Sequence, residues 1–187
     1  MKTYTPGELI MMGAADTYPL TVKEFLKTKS KDMSSATILA VDPGKTGGWA
    51  WRNYDGVVTL RKWTTEDAFL DFVSDGSFSE PYQAVVEDVP VFVSAATSNA
   101  SSFKLGYNYG YICGVIRANF VPLELIKPRE WQKGLSGLKP RMGYTARKRM
   151  LKDNAKRLYP KQEGLTNATA DALLIMHHYL KKNPHMQ

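Results

Sequence analysis

The feature that most constrains this chain is the segment Thr37-Ile38-Leu39-Ala40-Val41, closed at once by Asp42-Pro43-Gly44. A run this short, ended by turn formers, suits a buried strand rather than a helix. Residues 47–51 and 57–63 read as two further strands. Between them lies Tyr54-Asp55-Gly56, whose Asp-Gly pair is a hairpin signal. Thr64-Thr65-Glu66-Asp67 then opens a helix reaching about Ser74, with a threonine at its cap. The spacing predicts a strand over 83–88, a long helix over 98–118, and a strand over 123–126 stopped by Lys127-Pro128. Helices follow over 145–159 and 166–181. Three strands in a meander, then alternation of strand and helix, imply an α/β fold. The expected architecture is a mixed five-stranded sheet flanked by helices. Residues 1–34 differ in character, being rich in Thr, Ser and Lys around one short helical stretch at 20–29. They are expected to be an N-terminal extension of unknown role, with residues 35–187 as the main folded domain.

Charge narrows the partner. The chain carries a formal net charge of +7 and a pI of about 9.4, which favours a polyanion. The surplus is concentrated between Lys127 and Lys161, where Glu130 and Asp153 are the only acids. A solvated face would look similar, but so one-sided a span favours a phosphate-binding surface. The single cysteine, Cys113, rules out an intrachain disulfide and a cysteine-based zinc cluster. Apolar stretches are too short and too interrupted to span a membrane. No signal or transit pattern opens the sequence, so a reducing cytoplasm is the expected setting.

Three acids sit where chemistry can use them. Asp42 ends the first strand, Glu87 ends the fourth behind Ala84-Val85-Val86, and Asp171 lies in the last helix within Ala170-Asp171-Ala172-Leu173-Leu174. Each alone reads as an ordinary solvated residue at the end of an element. As a set they converge if the first and fourth strands are adjacent and parallel and the last helix crosses their ends. Converging carboxylates repel one another unless a cation neutralises them. Oxygen-only ligation suits Mg²⁺ or Mn²⁺. Two such ions about 3.5–4 Å apart can activate water and stabilise the leaving oxygen of a phosphodiester.

The order of these motifs resembles the RuvC-type Holliday-junction resolvases of the ribonuclease H-like superfamily, particularly their phage and chloroplast members. Ile38 to Gly44 resembles the first strand with its acid, and Val85-Val86-Glu87 the second acidic strand. Ser101 to Tyr111 resembles the helix after it. Lys127-Pro128-Arg129-Glu130-Trp131-Gln132-Lys133 resembles a Pro-x-x-Trp segment, and Ala170 to Ile175 the final acidic helix. The resemblance spans about residues 37–180. It implies a ribonuclease H-like fold and a homodimer that cuts four-way or branched DNA with Mg²⁺, by attack of metal-activated water on a phosphodiester. Asp42, Glu87 and Asp171 would be the catalytic and metal-binding acids. Relatives carry a fourth acid or a His one turn earlier than Asp171, where this chain has Asn167, a neutral ligand at most. Two alternatives remain open: a silenced module that binds branched DNA, and an RNA–DNA hybrid nuclease. The DNA-contacting set is expected to comprise Lys45, Phe92, Lys104, Arg129, Lys133, Arg147, Lys148 and Lys152. No small-molecule cofactor beyond the metal is expected, and the location is the cytoplasm (the host's, if the chain is phage-encoded).

Other features weigh less. Gly44-Lys45-Thr46 lacks the earlier glycine of a phosphate loop, since Leu39 stands there, and no helix follows it. Gly106, Gly110 and Gly114 recur every four residues on the long helix, beside Phe103, Tyr107 and Tyr111. Glycine is costly inside a helix, so the stripe implies close approach of another element. That element is either the chain's own sheet or a second copy. Phe92 is a candidate wedge against unstacked bases. His177 and His178 are adjacent on a helix and cannot share one metal face.

Overall fold

The computed structural model describes residues 37–44, 46–74, 82–89 and 98–186. The extension at 1–34, Lys45 and Phe92 therefore lie outside the described residues. Five strands form one sheet: β1 (Thr37–Asp42), β2 (Gly48–Arg52), β3 (Val58–Lys62), β4 (Tyr82–Glu87) and β5 (Leu123–Ile126). Their order is β3-β2-β1-β4-β5. β1, β2 and β3 pair antiparallel as a meander, whereas β4 is parallel to both β1 and β5. The expected adjacency of the first and fourth strands holds. The helices are α1 (Glu66–Ser74), α2 (Asn99–Ala118), α3 (Pro128–Trp131), α4 (Tyr144–Leu158) and α5 (Ala170–Lys182), followed by a 3-10 turn at Pro184–Met186.

Period-2 alternation divides the sheet between two cores. Ile38, Ala40, Ala50 and Val85 face α5 and α4, packing on Leu173, Leu174, Met176, Leu151 and Ala155. Leu39, Val41, Trp49, Ala84 and Val86 face α1 and α2, packing on Phe69, Val73, Ile112 and Ile116. Fully burying each of the Val, Leu, Ile, Phe and Met side chains among them contributes about 1.5–3 kcal/mol, and the alanines less. The same alternation fixes the acids. Residues 38, 40 and 42 share a face, as do 85 and 87, so Asp42 and Glu87 continue the surface that α5 covers.

Local chemistry explains the element ends. Thr65 Oγ1 accepts from the Ala68 N–H at 3.1 Å, the predicted cap of α1. Gly56 supplies φ 81° at the Asp55-Gly56 turn. The last helix differs from expectation at its start. Thr166 Oγ1 accepts from the N–H groups of Ala168 and Thr169, and Thr169 Oγ1 accepts in return from the Thr166 N–H at 2.9 Å. This reciprocal cap resembles a capping box and forms a turn of its own before regular α5 begins at Ala170. Asn167 falls in that turn, exposed, one turn before Asp171. α3 is a single helical turn with Pro128 at its first position, where a missing N–H costs nothing.

The glycine stripe does not pack on the chain's own sheet. Among the described residues, a Cβ placed on Gly106, Gly110 or Gly114 would meet nothing within 4 Å. Phe103 and Tyr107 beside them are 75% and 55% exposed, so no described element covers this face of α2. Tyr111 parts from that stripe and turns inward, its hydroxyl donating to the Glu66 carbonyl at 2.9 Å. The buried residues of α2 are Ile112, Cys113, Val115 and Ile116, all in its C-terminal half.

Candidate active site

The end of β1 is shaped to hold Asp42. Its Oδ1 accepts from the Gly44 N–H at 3.0 Å, a local turn that orients the carboxylate. Side chains are excluded around it. A Cβ on Gly47 would stand 2.9 Å from the Asp42 Cγ, and one on Gly44 would stand 3.1 Å from Oδ1. Pro43 is tied to α2, its carbonyl accepting from Asn108 Nδ2 at 2.6 Å. Glu87 ends β4 opposite Ile126 of β5. The next residue, Asp88, accepts from the Tyr109 hydroxyl at 3.3 Å. Asp171 projects from the first turn of α5 and is 5% exposed, close to the 6% of Asp42.

The contacts of Lys148 bring two of these acids together, and the electrostatics tie in the third. Lys148 of α4 reaches both Asp42 Oδ2, at 3.3 Å, and Asp171 Oδ2, at 2.7 Å. Glu87 is pushed up to about 8, by burial first and then by the charges of Asp42 and Asp171. Asp171 is raised to about 6, again by burial and then by Asp42, with Lys148 pulling it back down. For Lys148 itself burial disfavours the charge, yet Asp42 and Asp171 outweigh it and hold the ammonium above its ordinary range. Carboxyl groups perturbed in this way cluster at functional sites, and structural ion-pair networks perturb them too.

The donors fit a hard divalent cation. All are oxygens, and the Asp171 Oδ1 is buried with no hydrogen-bond partner among the described residues. An unpartnered carboxylate oxygen of this kind is one that could ligate such an ion. Among the described residues no three acidic, His or Cys side chains are yet close enough to ligate one ion. In this arrangement the Lys148 ammonium stands between two of them and supplies the positive charge.

The remaining predicted site residues divide by place. Arg129 and Lys133 are exposed on either side of Trp131, and Lys104 is exposed on α2. Arg147 donates to Gln132 Oε1 and is half-buried, as is Lys152. Lys148, expected on the phosphate-facing surface, sits inside the acid cluster instead. Sequence reasoning left one signal unused: positions 148, 151 and 155 share a helix face, and Leu151 and Ala155 are core. Two more residues make contacts at the site that their sequence positions do not signal. Trp131 is 2% exposed, and its indole N–H donates to Glu87 Oε2 at 2.9 Å. Tyr144, one turn before Lys148, is 66% exposed with its hydroxyl 3.1 Å from Thr46 Oγ1. His177 lies away from the acids, its Nδ1 3.1 Å from the Tyr159 hydroxyl. Among the described residues no helix is long and apolar enough to cross a membrane.

No protein-family profile and no curated protein matches the sequence. Solved structures do match the fold. Thermus thermophilus RuvC in complex with a Holliday junction substrate aligns with a TM-score of 0.52 at 16% identity, over 79% of this chain and 96% of that one. A second Thermus thermophilus RuvC structure aligns at 0.50 and 15% identity, with the same coverage. The sheet order, the helices on both its faces and this likeness agree: the chain has the ribonuclease H-like fold of RuvC.

Proposed function

We propose that this chain is a divalent-metal-dependent endonuclease acting on Holliday junctions or other branched DNA. The observation that carries the reading is the gathering of Asp42, Glu87 and Asp171 around Lys148, with two of the acids raised in proton affinity and one oxygen orphaned. The RuvC structure bound to a Holliday junction supplies the substrate class by likeness of fold. Asp42, Glu87 and Asp171 would hold Mg²⁺ or Mn²⁺, with Asn167 as a neutral contact from the preceding turn. A bound divalent ion would supply Lewis acidity toward a phosphodiester and lower the pKa of a coordinated water. The protein's own share is to position charge. Gly44 fixes one Asp42 oxygen, and the cap at Thr166–Thr169 sets the start of the helix that presents Asp171. Lys148 holds the acids together before loading and can then turn its charge to phosphate. Arg129, Lys133, Arg147 and Lys152, with Lys45, Phe92 and Lys104, form the DNA-binding set, reading backbone shape more than base sequence.

The open face of α2, with its glycines and exposed Phe103 and Tyr107, supports a homodimer. A two-fold pair would present two sites to a two-fold junction. In this reading residues 35–187 are the nuclease domain, residues 1–34 an extension, and the setting the cytoplasm. Two observations favour a second reading, a silenced module that binds branched DNA. The ammonium of Lys148 occupies the acid cluster, and the residue one turn before Asp171 is the neutral Asn167. The deciding experiment is cleavage of a synthetic four-way junction, a flap, a plain duplex and an RNA–DNA hybrid, with Mg²⁺ or Mn²⁺. Junction cleavage lost in Asp42→Asn, with binding retained, is expected. Binding without cleavage, and activity gained in Asn167→Asp, would select the silenced module. Preference for the hybrid would select a ribonuclease.

A further inference from the structure

Glu87 is the acid whose position the strand alone leaves least determined. Asp42 has a short side chain clamped by the Gly44 N–H, and Asp171 is held by Lys148 at 2.7 Å. Glu87 has one more rotatable bond and ends its strand. Lys148 acts on it through space, and among the described residues a single hydrogen bond fixes it, that from Trp131. The donor is itself immobile. Its indole is 2% exposed and packs in the core formed by Ile38, Val85, Ile126 and Leu151. The bond satisfies a buried N–H and, because the ring cannot move, restrains the carboxyl group that accepts it.

The backbone delivers Trp131 to that point. β5 pairs in register with β4, placing Ile126 opposite Glu87, and the Asp88 N–H donates to the Ile126 carbonyl at 2.8 Å. The chain then leaves the sheet through Lys127, and Pro128 starts the single turn of α3. The Trp131 N–H bonds back to the Lys127 carbonyl and the Gln132 N–H to Pro128, so the turn is closed on itself. Five residues after the strand pair that carries Glu87, the ring returns over the same carboxylate.

We propose that Trp131 is a positioning residue of this site: its indole N–H pins Glu87 Oε2, so that the other oxygen, Oε1, is the one offered toward Asp42, Asp171 and a divalent cation. The inference rests on the nuclease reading above. An outer hydrogen bond of this kind decides how a carboxylate meets a metal, and losing one typically lowers metal affinity 10- to 100-fold. Once Glu87 is ionised the bond becomes charge-assisted, which strengthens its hold on the side chain.

The test uses the full-length protein and Mn²⁺ as probe. Trp131→Phe keeps an aromatic ring in the core and removes the N–H, with the loss of the indole's second ring. Binding is read as the loss of the free Mn²⁺ signal in electron paramagnetic resonance, without DNA. The expected result is roughly 10-fold or greater weakening in Trp131→Phe, little further loss when it is added to Glu87→Gln, and unchanged junction binding without metal. A second measurement does not depend on that variant folding. With uniform ¹⁵N labelling, the four tryptophans give separate indole signals. Those that Mg²⁺ moves are expected to include Trp131, and that movement should vanish in Glu87→Gln. Wild-type Mn²⁺ affinity in Trp131→Phe, or an indole signal indifferent to both Mg²⁺ and Glu87→Gln, would overturn the assignment while leaving the nuclease reading intact if Asp42→Asn still abolishes Mn²⁺ binding. Failure of the wild-type protein to bind Mn²⁺ would overturn both.

Discussion

Replacing Lys148 with methionine removes the ammonium that bridges Asp42 and Asp171 while keeping most of the aliphatic stem. The pair is shielded from water, with Lys148 15% exposed and each carboxylate 8%. Removing one partner of such a buried pair costs about 3–5 kcal/mol, because the other charge is left uncompensated. The protein has an alternative, which is to take up a proton. At pH 7.5, protonating an Asp whose ordinary pKa is 3.8 costs about 5 kcal/mol, at about 1.4 kcal/mol for each pH unit. At pH 5 the same step costs only about 1.6 kcal/mol. The variant should therefore lose about 3–5 kcal/mol at pH 7.5 and less than about 2 kcal/mol at pH 5. Urea unfolding of wild type and variant at both pH values, without divalent metal, measures the difference. A second variant, Lys148→Met with Asp171→Asn, should regain part of the loss at pH 7.5, because one stranded charge is gone. A loss below about 1 kcal/mol at pH 7.5, or an equal loss at both pH values, would refute the electrostatic reasoning. It would mean that Lys148 contributes packing alone.

The metal-free wild type should itself respond to pH. Glu87 at about 8 and Asp171 at about 6 both hold protons more tightly folded than unfolded. Their contribution is complete below the unfolded values and is lost as pH rises through the folded ones, so Tm should fall between about pH 5 and 8. Glu87→Gln should flatten the upper part of that fall; an unchanged profile would show that Glu87 is not the group concerned. Replacing both Phe103 and Tyr107 with Ser should shift sedimentation of the protein from dimer to monomer while leaving Tm nearly unchanged. A mass unaltered by the change would place any dimer interface elsewhere. Neutralising Lys133 and Arg147 should weaken junction binding and reduce the dependence of log affinity on log salt by about 0.9 for each phosphate no longer neutralised. A slope equal to wild type would remove these side chains from the DNA surface.

Much of the scaffold could be read from the sequence because its signals are local. The alternation that buries Ile38 and Ala40 also assigns Asp42 to the same face, and the chain order of strands and helices makes β1 and β4 parallel neighbours. Two contacts of the site could not be read this way. Lys148 meets Asp42 across 106 residues and Trp131 meets Glu87 across 44, separations over which no periodicity speaks. In a helix as basic as α4, the lysine on the apolar stripe is camouflaged by neighbours that face outward. Asn154 on the same helix is similar: it is buried because its side chain closes the 136–138 loop through Ser136. The glycine stripe of α2 announced a close approach, but composition cannot name the neighbour. The exposure of Phe103 and Tyr107 shows that it is not the chain's own sheet.

The two sides of α2 have different tenants. Asn108 and Tyr109 grip the turns that follow Asp42 and Glu87, while Tyr107 and Gly110, almost half a rotation away, look outward. A helix is only about 10 Å across and stiff over a single turn. The four consecutive residues from Tyr107 to Gly110 thus carry both the open outer face and the two bonds beside the acidic strand ends.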